Sequence, residues 1–220
     1  MKETVFVLCA LLPYLICGIN PAIVLAHLIY HEDIRMRGSG NPGFTNFKRI
    51  YGFRYAWCVM VLDLAKAALS CLAAGALFSA AGIDAQLGCA YAGLFSMLGH
   101  CYPVWYGFHG GKAFLTGLAA MWCVDARAGF AATLLLVLFL FTLHYMSLAA
   151  IISSVGGVIT LWLLGVKTPL TLALCIAGSL LLIFRHRKNI VRLCRGQETK
   201  FYFRGGAKEK NKEEEQVKLS

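Results

Sequence analysis

From Thr4 to Tyr30 the chain runs 27 residues without one Asp, Glu, Lys or Arg. A helix of about 20 apolar residues already crosses the ~30 Å hydrocarbon core of a bilayer. A secretory signal has a shorter apolar core followed by a small-residue cleavage pattern, and no such pattern occurs here. The stretch reads as a retained first span. Further apolar segments fall at roughly 55–80, 87–101, 112–125, 128–143, 146–165 and 168–184. The third and fourth are short for full spans. The interval between them, "HCYPVWYGFHGGK", is expected to dip partly into the membrane, which is tolerated where protein or a wet cavity surrounds it. Only 15% of the residues are charged, against about a quarter in soluble domains. The expected fold is an all-α integral membrane protein of about seven transmembrane helices, some short. A single membrane-embedded domain is expected over 1–204 and a polar, charged tail over 205–220.

Seven crossings place alternate loops on opposite sides. The loops 31–54, 101–112 and 142–147 and the stretch 185–220 then carry seventeen of the 21 Lys and Arg residues. Cytoplasmic loops hold the excess of basic residues, so this side is expected to be cytoplasmic, with the N-terminus outside and the C-terminus inside. The net charge of +10 lies beside membrane segments. It points to lipid headgroups or phosphorylated substrates rather than to nucleic acid. Nine cysteines are scattered, mostly within apolar segments, with no CxxC pair and no metal-ligand spacing. They read as small reduced hydrophobes, and no metal site is expected.

Three polar intervals interrupt this apolar chain, all on the basic side. The first is "GSGNPGFTN", Gly38 to Asn46. Glycine permits positive φ, so successive backbone N–H groups can turn toward one point and form an anion-binding concavity. Ser39, Asn41, Thr45 and Asn46 add side-chain donors, and Arg49 adds a fork suited to phosphate. The second is "GHCYPVWYGFHGGKAFLT", Gly99 to Thr116. Gly110 and Gly111 precede Lys112 at the start of the fourth apolar segment, where helix dipole, backbone donors and ammonium are expected to converge. This is not a Walker A loop, because Tyr106 stands where its first glycine belongs and Ala113 follows Lys112. The third is "RHRKNIVRLCRGQETK", Arg185 to Lys200, with His186 and Asn189 on one helical face and Arg192 adding positive charge. Asp63 and Lys66 lie one turn apart within the second span, where charges are costly and are expected to pair or to face a polar interior. Ser147 stands at a helix edge on the basic side. Neither a Gly-x-Ser-x-Gly elbow nor a His-Glu-x-x-His zinc helix occurs, and no His-x-x-x-x-Asp pair occurs either.

The patterns "GSGNPGFTN…R", "GHCYPV…F.GGKA..T" and "HR.NI.RL..G.E.K", in this order and with "LDLAKA" and "MSLAAI" between them, resemble the bacterial PlsY family, the acyl-phosphate:glycerol-3-phosphate acyltransferases. The resemblance runs from "YLICGINPAIVLA" to Lys200. It implies transfer of an acyl group from acyl phosphate to the 1-hydroxyl of sn-glycerol 3-phosphate in the bacterial plasma (inner) membrane, with the active site on the cytoplasmic side. The products would be lysophosphatidic acid and inorganic phosphate. No cofactor and no metal is implied, and a functional link to the enzyme that supplies acyl phosphate is. Gly38, Ser39, Gly40, Asn41, Gly43, Thr45 and Asn46 would hold the donor's phosphate. Lys112 and Arg49 would clamp the acceptor's phosphate, and His186 and Asn189 would orient the acceptor. Gly110 and Gly111 would allow close backbone approach, with Ser147 as a supporting contact. Thr116, Arg192 and Glu198 complete the implied binding set; Lys112, His186, Asn189, Ser39 and Arg49 are its catalytic members.

Three positions depart from the family's usual pattern: Phe44 for alanine, Ala113 for glycine, and Leu115 at a small position. Acyl phosphate is already activated, so direct attack without an acyl-enzyme is expected, the hydroxyl proton passing to a donor phosphate oxygen or to His186. Two rival classes are a channel or transporter for a phosphorylated solute and a non-catalytic membrane subunit that binds lipid headgroups, for which three such motifs are unnecessarily elaborate. Within enzymes the nearest competitor uses another acyl donor. A transporter is expected to show an inverted internal repeat, which is not found here. An acyltransferase using acyl-CoA or acyl carrier protein is expected to show a nucleotide pocket or a carrier-docking surface.

Overall fold

Pro21 divides the first apolar segment. It has no N–H and forces the residue before it out of the helical region, and Asn20 is extended, with φ −98° and ψ 111°. Asn20 Oδ1 then accepts the N–H groups of Ala22 at 3.0 Å and Ile23 at 3.1 Å, capping the helix that follows. The segment expected as one helix over 4–30 is therefore two, α1 (Lys2–Gly18) and α2 (Pro21–Tyr30).

The computed structural model describes residues 2–202, and the expected tail at 205–220 lies outside the described residues. After α2 come a short α3 (Phe44–Tyr51), then α4 (Ala56–Ala80), α5 (Ala85–Cys101), α6 (Phe114–Val124), α7 (Ala126–Leu143), α8 (Met146–Leu164), α9 (Pro169–Arg185) and α10 (Arg187–Cys194). Each apolar segment of the sequence is helical, and the described residues contain no strand. Four stretches are long and apolar enough to cross a membrane: Lys2–Tyr30, α4, α7 and α8. α9 and α10 together pass as a fifth, but they are bent by 57° and α10 is polar. α5 has 17 residues and α6 only 11. At 1.5 Å per residue, α6 reaches about 17 Å, roughly half the hydrocarbon thickness.

α5 sits at the centre, packed by α1, α4, α6 and α9. In lipid there is no hydrophobic drive between helices, so close approach at small residues must hold them. A methyl group added at Gly99 would lie 2.1 Å from the Tyr14 carbonyl oxygen, which marks how near α1 and α5 come. The outward faces carry exposed Leu69, Leu72, Phe130, Leu163 and Leu180, a surface matched to lipid tails. All nine cysteines are free thiols.

Candidate active site

The first polar interval folds into a tight loop ahead of α3. Gly38 and Gly40 adopt φ of +57° and +69°, a region glycine enters without penalty. The turn sets the Ser39 N–H on Asn46 Oδ1 at 3.0 Å, while Asn46 Nδ2 donates to the Arg37 carbonyl at 3.1 Å. Asn46 is 1% exposed. Its side chain staples the loop, and the residue also lines the cavity. Further donors are offered by the start of α3. Its N-cap is Gly43, which brings no side-chain cap, so the first N–H groups and the positive end of the helix dipole remain for an anion. Thr45 and Arg49, one turn apart on α3, face the same space as Ser39 and Asn41.

The second interval differs from expectation in a useful way. Gly110 N–H donates to the Cys101 carbonyl at 3.2 Å and Gly111 N–H to the His100 carbonyl at 2.9 Å. These backbone donors hold the loop against the end of α5 and are not offered to a ligand. Glycine is needed because a methyl at 110 would lie 2.1 Å from the His100 carbonyl oxygen, and one at 111 would lie 2.2 Å from His100 Nε2. The carbonyls on the other side are taken by Arg185, whose Nε donates to Gly111 at 3.0 Å and whose terminal nitrogen donates to Gly110 at 2.8 Å. α6 starts only at Phe114, so Lys112 stands two residues ahead of it. Thr116 is fully buried and donates to the Ala113 carbonyl at 2.9 Å; it closes the first turn of α6 and does not reach the cavity.

In the third interval the chain bends at His186, between α9 and α10. Gly196, at φ +68°, turns it back so that Glu198 meets three donors. Ser147 Oγ and Asn189 Nδ2 reach one carboxylate oxygen at 2.7 and 2.6 Å, and Arg192 Nε reaches the other at 2.7 Å. The Asn189 side-chain oxygen accepts from the Lys112 ammonium. Glu198 is thus the hub that fixes Asn189, and Asn189 aims Lys112.

The three intervals enclose one cavity of about 530 Å³. Of the expected binding residues only Gly40, Gly110, Gly111 and Thr116 stand back from it; the rest line it. Glu198 pairs with Arg192 at 2.7 Å and Asp63 on the floor with Lys66 at 2.8 Å, so Arg49 and Lys112 leave the polar end with an excess of positive charge. Burial pushes Lys112 down to about 8, against the pull of Glu198 and with the push of Arg192, Arg185 and Arg49. Burial and the nearby Lys112 charge push His186, just beyond the last apolar helix, down to about 4. Its Nδ1 lies 2.9 Å from the Leu182 carbonyl. A carbonyl only accepts, so the neutral ring carries its proton on Nδ1 and its lone pair on Nε2. Burial alone would raise Glu198, but hydrogen bonds from Ser147, Asn189 and Arg192 outweigh it and hold the carboxyl below its usual range. Beyond this polar end the cavity continues as a greasy groove past Met60, Leu136 and Leu140. Trp57, Val137 and Phe141 line the groove and are also exposed on the outer apolar surface. The groove therefore opens sideways toward lipid.

A cationic cup joined to a lipid-facing groove suits an amphiphile with an anionic head, and the comparisons with known proteins agree. A family described as "Glycerol-3-phosphate acyltransferase" matches residues 7–196. The chain belongs to the glycerol-3-phosphate acyltransferase family. It is similar to the family member of Rhodospirillum rubrum, 38% identical over 214 residues, covering 96% of this chain and 95% of that one. The Jannaschia relative is 37% identical over 194 residues, covering 88% and 91%. A crystal structure of PlsY, an integral membrane glycerol 3-phosphate acyltransferase in its glycerol 3-phosphate form, superposes with a TM-score of 0.81 at 34% identity, covering 90% of this chain and 96% of that chain.

In this acyltransferase the three departures from the usual pattern now have places. Phe44 is nearly buried and packs against Phe53, Trp57 and Phe201, forming the wall where the cup meets the groove. Leu115 lines the same cavity. Ala113 is held at φ +57°, a left-handed conformation that costs an L-residue about 1–2 kcal/mol and glycine almost nothing. Sequence reasoning missed Asn20, whose Nδ2 donates to the Pro42 carbonyl at 3.1 Å and anchors the first loop. It also missed Arg185 as the ligand of the Gly110 and Gly111 carbonyls; a lone arginine in a basic run carries no signal of that. Ser147, read as an edge residue, is a buried donor to Glu198.

Proposed function

We propose that the chain transfers an acyl group from acyl phosphate to the 1-hydroxyl of sn-glycerol 3-phosphate, releasing 1-acyl-glycerol 3-phosphate (lysophosphatidic acid) and inorganic phosphate. This would be the first acylation of phospholipid synthesis, at the cytoplasmic face of a bacterial plasma membrane, with seven crossings and an external N-terminus. The observation that carries the reading is a cavity with excess positive charge at one end and a groove open to lipid at the other. On this reading two phosphates sit at the cationic end and one acyl chain in the groove. The related PlsY structures in glycerol 3-phosphate and lysophosphatidic acid forms support the acceptor and the product.

The chemistry asks little of a nucleophile. Acyl phosphate is a mixed anhydride, and holding it beside the acceptor can supply ~7–11 kcal/mol of the barrier. The acceptor oxygen attacks the acyl carbon, the carbon–oxygen bond to phosphate breaks, and the hydroxyl proton leaves on the departing phosphate. Burial and the Lys112 charge lower the basicity of His186, which favours the phosphate as proton acceptor; its Nε2 lone pair orients the hydroxyl. The α3 N-terminus with Ser39 holds the donor phosphate, while Lys112 and Arg49 hold the acceptor's. Ser147 donates to Glu198 as a wall contact and is assigned no acyl-enzyme.

The deciding experiment supplies purified protein with labelled glycerol 3-phosphate and, separately, acyl phosphate, acyl-CoA or acyl carrier protein. Lysophosphatidic acid is expected with acyl phosphate only, with no hydroxylamine-sensitive acyl-enzyme. Product from either other donor alone overturns the donor assignment. A second expectation concerns Gly110→Ala. The added methyl meets a backbone carbonyl at 2.1 Å, so the loop must shift and carry Lys112 with it. The KM for glycerol 3-phosphate is expected to rise at least tenfold in steady-state assays, with the thermal midpoint changed far less.

A further inference from the structure

Asp63, Lys66 and His100 are three ionisable side chains between the helices that acyl transfer does not use. Asp63 is 1% and His100 4% exposed. Lys66 Nζ lies 2.8 Å and His100 Nδ1 3.4 Å from the same oxygen, Asp63 Oδ1. Burying such a group costs more than it usually returns, and apolar residues of similar size would hold the helices as well or better. Charge kept at membrane depth marks a functional task.

We propose that these three residues form a positioning unit that sets Gly111 and Lys112 against the 38–46 loop. The contacts close into a ring. Lys66 Nζ donates to the Ile19 carbonyl at 2.8 Å, in the break between α1 and α2. The next residue, Asn20, donates to the Pro42 carbonyl at 3.1 Å, within the first loop. The Pro42 oxygen in turn lies 3.1 Å from where a Gly111 methyl would be, and His100 Nε2 lies 2.2 Å from that same point. Gly111 is therefore wedged between the first loop and the His100 ring, and its N–H is held by the His100 carbonyl at 2.9 Å. His100 returns the ring to Asp63 and so to Lys66. One circuit ties α4, α5, the α1–α2 break and both phosphate-binding loops, and Lys112 is the residue next to its wedge. Asp63 and His100 also line the cavity floor directly. The unit touches no reacting atom in this scheme; it acts through the placement of Lys112.

The proposal rests on the acyltransferase reading above, and its test separates the two. Wild type, His100→Ala, His100→Asn and the double variant Asp63→Asn/Lys66→Met, which strands neither charge, are purified in detergent. Each is assayed for KM and kcat and for the rise in thermal midpoint caused by glycerol 3-phosphate alone. A positioning role predicts a KM at least tenfold higher with kcat down less than threefold, and loss of the ligand-induced rise. In the Gly111→Ala background the geometry predicts coupling: the added methyl raises KM in the presence of His100 and by less than twofold once His100 is Ala. A KM within twofold of wild type in His100→Ala and in the double variant overturns the proposal. Should His100→Ala not fold, the same readings on His100→Asn decide. The thermal rise needs no acyl donor, so a wild type inert with acyl phosphate would refute the proposed donor while this measurement still judged the positioning unit.

Discussion

Lys112→Ala is expected to lower kcat/KM for glycerol 3-phosphate by about 10²–10³, the loss typical of removing one preorganised electrostatic donor. The ammonium lines the cavity and, among the described residues, donates to the Asn189 side-chain oxygen. Its removal takes a charge from the acceptor's phosphate and leaves the Asn189 oxygen without its donor. Arginine is not expected to rescue the site, because a planar fork cannot stand in for a compact ammonium in an enclosed position. The same charge can be removed by pH. With Lys112 at about 8 in the unliganded protein, KM for the acceptor should climb as pH rises through that value, by up to tenfold per unit. Kinetics of Lys112→Ala should lack that limb. The sign for stability is opposite: a lysine whose pKa is depressed on folding withholds stability while protonated and returns it as pH rises toward its unfolded value. Lys112→Ala should therefore leave the thermal midpoint unchanged or higher, separating lost catalysis from lost folding. A variant retaining more than a tenth of kcat/KM would remove Lys112 from the centre of the scheme.

Glu198→Ala is expected to cost on the order of 2 kcal/mol of stability, because it leaves Ser147, Asn189 and the part-exposed Arg192 without their acceptor. The carboxylate side chain is 8% exposed and accepts from Ser147, Asn189 and Arg192 at 2.6–2.7 Å. Glu198→Gln keeps one acceptor and should fall between wild type and alanine in a thermal unfolding series in detergent. Here the linkage runs the ordinary way for an acid. Its folded pKa is depressed, so the stability it provides is present above the unfolded carboxyl pKa and is lost as pH falls through the folded one. An unfolding midpoint for Glu198→Ala equal to wild type would show that the wall built by residues 186–201 stands without its hub.

How legible this was from residues alone varied with the kind of interaction. Uncharged stretches such as Thr4–Tyr30 state their own setting, since nothing but lipid or a large core accepts them. The break at Asn20 was equally available, because an Asn-Pro pair inside an apolar run is a cap and a helix start. Run length alone hides it. Lys112, Asn189 and Glu198 were found through motif order, and the structure brings them together. What sequence could not give is which donors are already spent. The Gly110 and Gly111 amides look like ligand donors until the loop is folded, when each is seen to hold the loop itself. His100 belongs to the same class: nothing in a lone histidine after a glycine says that its ring edge fills the space a neighbouring side chain would take.

The sideways opening past Trp57, Val137 and Phe141 also fixes the units in which the two proposed substrates must be counted. The acceptor arrives from water, and its supply is a molarity. The donor arrives along the plane of the bilayer, and its supply is a mole fraction of the surrounding amphiphile. Diluting the membrane with inert lipid or detergent then starves the enzyme of one substrate while that substrate's bulk concentration stays the same.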